Sequence, residues 1–133
     1  MIKTYSKKGK LLNIVYQIAD IKEGREDITD ACEYLQCGVM KIKAGKIFQP
    51  HKHITRKGED HIHIQEAFII ISGKATIIIY DDDSIIDRIK LYDGDLTILL
   101  SGGHSLYIEK DTILYEIKTG PYLGQENDKI FIS

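Results

Sequence analysis

Imidazole nitrogens and a carboxylate crowd into one short stretch of this chain. His51, His53, His61, His63 and Glu66 fall within QPHKHITRKGEDHIHIQEAFIIISG, and the fifth histidine, His104, follows Gly102-Gly103 far downstream. His51 and His53 are two apart, so on an extended strand both side chains leave the same face. Glu66 opens a second, apolar run able to return beside the first, and it shares one strand face with Phe68, Ile70 and Ser72. A carboxylate heading an apolar interior row is costly unless something satisfies it, and a cation is one solution. Three imidazoles and one carboxylate from three strands suit a divalent first-row ion. The chemistry expected is a metal site inside a β-barrel.

His61-Ile62-His63 is a competing His-x-His in a polar stretch bounded by Gly58. Two roles stay open for it. One is a rim or lid that meets solvent and substrate. The other is a replacement ligand, or a general acid/base near the metal, because imidazole titrates near neutrality. Tyr107 and Tyr115 are either hydrogen-bond donors lining the cavity or ordinary core aromatics.

Strands must position these groups. Ile2 to Tyr5 and Leu11 to Ile18 read as short strands across an SKKGK turn, and Asp20 to Ala31 as a loop or one helical turn. Tyr34 to Lys43 and Ile47 to His53 are extended, with Pro50 marking an edge or bulge in the second. Glu66 to Ser72 is a strand, Gly73-Lys74 a tight turn, and Ala75 to Tyr80 the next strand. A DDDS hairpin then leads to Ile85–Leu91, and Asp93-Gly94 is a strong turn dipeptide. Leu96–Leu100, Ser105–Glu109 and Thr112–Lys118 follow, the last two separated at Lys110-Asp111, and Ile130 to Ile132 adds a possible final strand. Short strands at this spacing predict an all-β sandwich or barrel.

The 133 residues fit one domain, and an apolar share of 43% supports a core without disulfides. A net charge of −2 gives no pull towards a phosphate backbone, so no nucleic-acid partner is expected. Asp81 to Asp83 read as a solvated turn, and Gly102-Gly103 lacks the lysine and helix of a phosphate loop. Cys32 and Cys37 form no framework and read as reduced thiols. No run approaches a membrane span and the N-terminus has no apolar leader, so a cytoplasmic protein is expected. The FIIIS and IIIY runs are apolar on both faces, which predicts a cover from N-terminal strands or from a second copy in a homodimer.

The spacing resembles that of the cupins. Gly45, five residues, His51-x-His53, then Glu66, six residues and Gly73 match both ends of the first cupin motif. Between them, twelve residues separate His53 from Glu66, where the family has three or four. Gly94 to His104 is similar to the second motif, with Leu100 in place of proline, the histidine one residue early and no asparagine after it. The resemblance covers about Tyr34 to Lys118. It implies a single double-stranded β-helix (jelly-roll) barrel over residues 34–120, with N-terminal strands and loop (1–33) packed on it and a tail (121–133). It also implies His51, His53, Glu66 and His104 as ligands of one divalent transition metal: Zn, Ni, Fe or Mn.

A finer resemblance, through GK-x-FQPH-x-H, YDDDS, SGGH and YEIKTGPY, is to small cupins often encoded among bacterial polysaccharide and sugar-modification genes. It implies a small-molecule ligand of sugar-derived type and isomerase- or epimerase-like chemistry. Three alternatives accompany it: an Fe(II)-dependent dioxygenase, a non-catalytic sugar or metabolite-binding module, and the metal-free keto-sugar isomerisation of a related cupin group. Residues 54–64, replacing the short turn of the family motif, are expected to overhang the barrel mouth, with His61, His63 and Tyr107 as the catalytic candidates.

Overall fold

A computed structural model describes residues 1–53, 64–121 and 129–132. Among them the regular structure is antiparallel β, apart from one 3-10 turn at Ile18–Asp20. Strands β1 (Ile2–Tyr5) and β2 (Leu11–Val15) pair as a separate two-stranded sheet. The remaining strands, β3 (Gly24–Asp27), β4 (Leu35–Ile42), β5 (His51–His53), β6 (Glu66–Asp81), β7 (Ser84–Tyr92), β8 (Leu96–Leu99), β9 (Gly103–Thr119) and β10 (Lys129–Phe131), form one eight-stranded sheet. The expected all-β jelly roll is what the chain adopts.

Its spine is a ribbon of two long strands. β6 and β9 pair antiparallel from Glu66↔Lys118 to Tyr80↔Gly103. The first half of β6 also pairs with β8, and its second half with β7; β9 pairs with β4 and β5 at its two ends. Alternation sends Phe68, Ile70, Ala75 and Ile77 inward from β6, where they meet Leu106, Ile108 and Leu114 of β9 together with Met40, Leu91 and Leu99. Ile70, Ile108 and Leu114 are fully buried, each worth about 1.5–3 kcal/mol over an exposed side chain.

The ribbon corrects two expected breaks. Gly73-Lys74 is not a turn between strands, and Lys110-Asp111 does not divide the last pair. Both positions lie inside continuous strands, and Lys74 and Lys110 pair with each other across the ribbon. What the sequence marks there is a corner. Three shifts of register cluster between Ile70 and Ala75, and Gly73 sits at φ +117°. A β-carbon on Gly73 would stand 2.4 Å from Thr112 Oγ1 and 2.6 Å from the Asp111 carbonyl oxygen. The close approach of the two strands at the bend requires glycine.

Two other expectations need adjusting. Gly24–Asp27 is a strand paired with β4 rather than loop or helix. The segment before Pro50 makes only an isolated bridge, Ile47↔Tyr107, so β5 shrinks to three residues. The tail strand forms as β10, one residue earlier than expected, paired with β5.

The N-terminal segment reaches the outer surface of β3 and β4. The Tyr16 hydroxyl donates to Glu26 Oε2 at 2.7 Å, and Val39, opposite Glu26 in register, is only 2% exposed although its neighbours Gly38 and Met40 face the interior. On β8 the outer face is exposed: Leu96 and Ile98, opposite Ile69 and Ala67, are 55% and 58% exposed. No helix among the described residues is long and apolar enough to cross a membrane.

Candidate metal centre

His51 and His53 leave the same face of β5, and His104 is the direct cross-strand partner of His51 on β9. The His51 and His104 ring centroids are 4.3 Å apart, and those of His53 and His104 are 5.5 Å apart. Glu66, the first residue of β6, enters from the other end of the ribbon. Its Oε2 abuts His53 Nε2, and its Oε1 lies 3.2 Å from His104 Nε2. One donor atom from each of the four residues falls within 4.8 Å of the others. An ion bound at about 2.0–2.2 Å to each donor keeps them no more than about 4.4 Å apart. A small contraction of the cluster meets that limit.

The protonation states suit ligation. His51 Nδ1 bonds the Gln49 carbonyl at 2.9 Å, which places the proton on Nδ1 and leaves Nε2 a free acceptor. Burial, helped by neighbouring His104, pushes the His51 pKa down to about 4, so the ring is neutral at pH 7. Burial alone would raise the Glu66 carboxyl. The His104 and His53 imidazoles beside it reverse that and hold it well below the usual carboxylate range. His104 Nε2, buried, makes no hydrogen bond among the described residues despite the nearby carboxylate oxygen. An orphaned buried nitrogen beside an ionised carboxylate is a donor pair suited to a cation. The residues fit a divalent metal.

The cluster forms one wall of a cavity of about 420 Å³. Phe48, Phe68, Met40 and Leu106 supply its apolar lining. Another wall is an ion-pair group that the sequence reading missed. Arg25 of β3 donates to Glu116 of β9 at 2.8 and 3.3 Å and to Asp27 at 3.0 Å. Gly38 of β4 lies between Asp27 and Glu116 in register, and a β-carbon there would stand 3.0 Å from the Arg25 guanidinium. Absence of a side chain lets the arginine cross β4 to its partner. Burial disfavours the Arg25 charge, but Glu116 and Asp27 more than offset that and hold its pKa above the ordinary value. Lys118 and Lys129 also line the cavity. Parity could have found Glu116 and Lys118, which share a face with buried Leu114; a strand as polar as GRED offers no such signal.

Tyr107 is corrected as a catalytic candidate. Its neighbours Leu106 and Ile108 take the interior, so Tyr107 faces outward, 36% exposed and away from the cavity. Tyr115, between buried Leu114 and Glu116, also points outward. His61 and His63 lie outside the described residues, as does 54–63 of the expected lid. Only Ile64 of that stretch is described, and it is buried.

No family model matches the chain, and no curated protein matches it. Solved structures do. A cupin-2 domain protein from Shewanella frigidimarina superposes with a TM-score of 0.55 at 16% identity, covering 77% of this chain and 87% of its own. CapF, solved with the inhibitor 3-isopropenyl-tropolone, gives a TM-score of 0.64 at 15% identity over 96% of this chain. A point mutant of salicylate 1,2-dioxygenase from Pseudoaminobacter salicylatoxidans gives 0.57 at 16% over 73%. This chain spans only 37% of CapF and 26% of the dioxygenase. At these identities the likeness is one of fold, and the fold is that of the cupins.

Proposed function

We propose that this cupin barrel is a metal-dependent enzyme acting on a small polar metabolite of sugar-derived type, with isomerase- or epimerase-like chemistry, in a cytoplasmic homodimer. The observation carrying the reading is the convergence of four buried donors from three strands on the floor of a cavity large enough for a small ligand. In this reading residues 34–120 carry the site, 1–33 cover part of the outer face, and β10 of the 121–133 tail closes the β5 edge.

His51, His53, Glu66 and His104 would hold one ion of Zn, Ni, Fe or Mn. When bound, such an ion supplies a Lewis acid that polarises a carbonyl or hydroxyl of the ligand and eases proton transfer. The protein's own contributions are positional. Gln49 fixes the His51 tautomer through its carbonyl, and the Phe48 and Phe68 rings exclude water from one side. Arg25 and Glu116, which line the same cavity, offer donors and acceptors to ligand hydroxyls. His61 and His63 stay the candidates for moving a proton. The test is elemental analysis of the purified protein, followed by turnover assays on keto- and hydroxy-sugars with and without chelator. A folded protein that never takes up a first-row metal sinks the reading, and full activity in chelator replaces it with metal-free isomerisation.

An Fe(II)-dependent dioxygenase is the second reading. A donor set of three imidazoles and one carboxylate leaves open positions at the ion, as oxygen chemistry needs. Oxygen uptake by the iron-loaded protein with a candidate substrate separates the two. Ligand binding with neither metal nor turnover identifies a binding module instead.

A further inference from the structure

Strands β1 and β2 pair with each other and, among the described residues, with no other strand. Ile2 and Val15 are direct partners across this hairpin, so they share one face, and both are exposed. Ile14, on the other face, is half-buried. A two-stranded hairpin is marginal in water unless its apolar face is covered. Its turn is well held: the Ser6 hydroxyl accepts from the Lys8 and Lys10 amides at 3.2 and 3.0 Å. The result is an apolar ribbon with an exposed basic tip of Lys7, Lys8 and Lys10.

A surface of matching length and opposite charge lies on β8. Leu96 and Ile98 point outward and are exposed, and β8, like β1, is four residues long. The turn that leads into β8 carries Asp93 and Asp95, both exposed. Each gives one carboxylate oxygen to a backbone amide, that of Gly73 or Tyr92, which fixes its position and leaves the second oxygen available. Among the described residues none of these lysines or aspartates is in an ion pair. An apolar strip headed by acids complements an apolar ribbon tipped by lysines. Within one chain the two surfaces do not meet, since Ile2, Val15, Leu96 and Ile98 are all exposed. A second copy offers each surface what it lacks, and two-fold symmetry makes the contact twice.

We propose that the N-terminal hairpin is a dimerisation arm. Its face carrying Ile2 and Val15 lies on Leu96 and Ile98 of the partner subunit, and Lys7, Lys8 and Lys10 stand over the partner subunit's Asp93 and Asp95. The proposal rests on the homodimer of the reading above and assigns the surfaces that make it.

The test places p-benzoylphenylalanine at Thr4, an exposed polar position on the same strand face as Ile2, in the full-length protein. After irradiation, a denaturing gel should show a product of twice the chain mass, with cross-links mapped by mass spectrometry to residues 92–100. In parallel, sedimentation equilibrium should show the dimer dissociation constant raised at least about tenfold by Ile2→Glu with Val15→Glu. Lys7→Glu with Lys8→Glu, or added salt, should weaken the dimer several-fold. A wild type that is monomeric at micromolar concentration refutes the homodimer and the arm together. A dimer whose cross-links stay within one chain, or miss residues 92–100, refutes the arm alone and leaves the homodimer standing. So does a dissociation constant that the folded Ile2 and Val15 variant leaves unchanged. If that variant does not fold, the cross-link map decides.

Discussion

Glu66 Oε1 lies 3.2 Å from His104 Nε2, yet the two residues begin the two strands of one ribbon and stand at its opposite ends. His104 pairs with Ile79, thirteen residues along β6 from Glu66. On a straight ribbon that separation is about 43 Å at ~3.3 Å per residue. The contact exists because β6 and β9 turn a common corner at Gly73, so the donor cluster reports on the curvature of the whole barrel.

The site should hold one first-row divalent ion per chain. His51→Ala or Glu66→Ala should drop metal content to background in elemental analysis. Both variants should still unfold cooperatively, because the core around Ile70, Ile108 and Leu114 is built without them.

His61→Ala and His63→Ala should keep the ion, whereas His104→Ala should lose it. Four donors are already assembled without the second His-x-His. If the His61 or His63 variant comes out metal-free while the His51 variant stays loaded, the ligand assignment is wrong.

Gly73→Ala should cost about 2–3 kcal/mol in urea unfolding, combining a strained positive φ with a clash against backbone. Gly94→Ala is the control. Its φ is also positive but a β-carbon there meets open space, so the loss should stay near ~1 kcal/mol. Equal losses at the two positions would show that the corner is not tightly packed.

Stability of the chelated, metal-free protein should depend on pH through His51. The folded pKa of about 4 lies below the ordinary value of 6.5, so the unfolded chain takes up the proton first. The contribution is complete above pH 6.5 and is lost as pH falls towards 4. Thermal melts at pH 7 and pH 5 should differ more for the wild type than for His51→Asn. Parallel behaviour of the two proteins would assign the acid lability to other groups.

Light scattering at micromolar concentration should give a dimer. Leu96 and Ile98 stand exposed beside Ile69 and Ala67 on the outer face, an apolar surface that a second copy would cover. Leu96→Lys with Ile98→Lys should then yield a folded monomer. A wild type that runs as a monomer refutes the assembly.

Much of this molecule was legible in its residues, for reasons that also explain the failures. Parity along β5 and β6 put His51, His53 and Glu66 on interior faces, and alternation is a local property that sequence records directly. The corner at Gly73 reads as a chain reversal in the sequence, because glycine marks both and only the pairing with β9 that resumes on either side of it tells them apart. β3 escaped altogether. Its inward side chain, Arg25, is charged, and it is stabilised by Glu116 some ninety residues away, a partner no local pattern contains. Tyr107 had the right chemistry and the wrong parity.

The folded-over ribbon also gives a bound ion a second part to play. Glu66 and His104 are thirty-eight positions apart in the chain, so an ion gripping both would act as a buckle on a strap, closing a long loop otherwise held by strand ladders and core packing. Linkage then runs in both directions. Whatever tightens the corner raises affinity for the ion, and the ion in turn cinches the corner. Residues such as Thr112 and Asp111, which touch no ligand, would set how firmly the metal is kept.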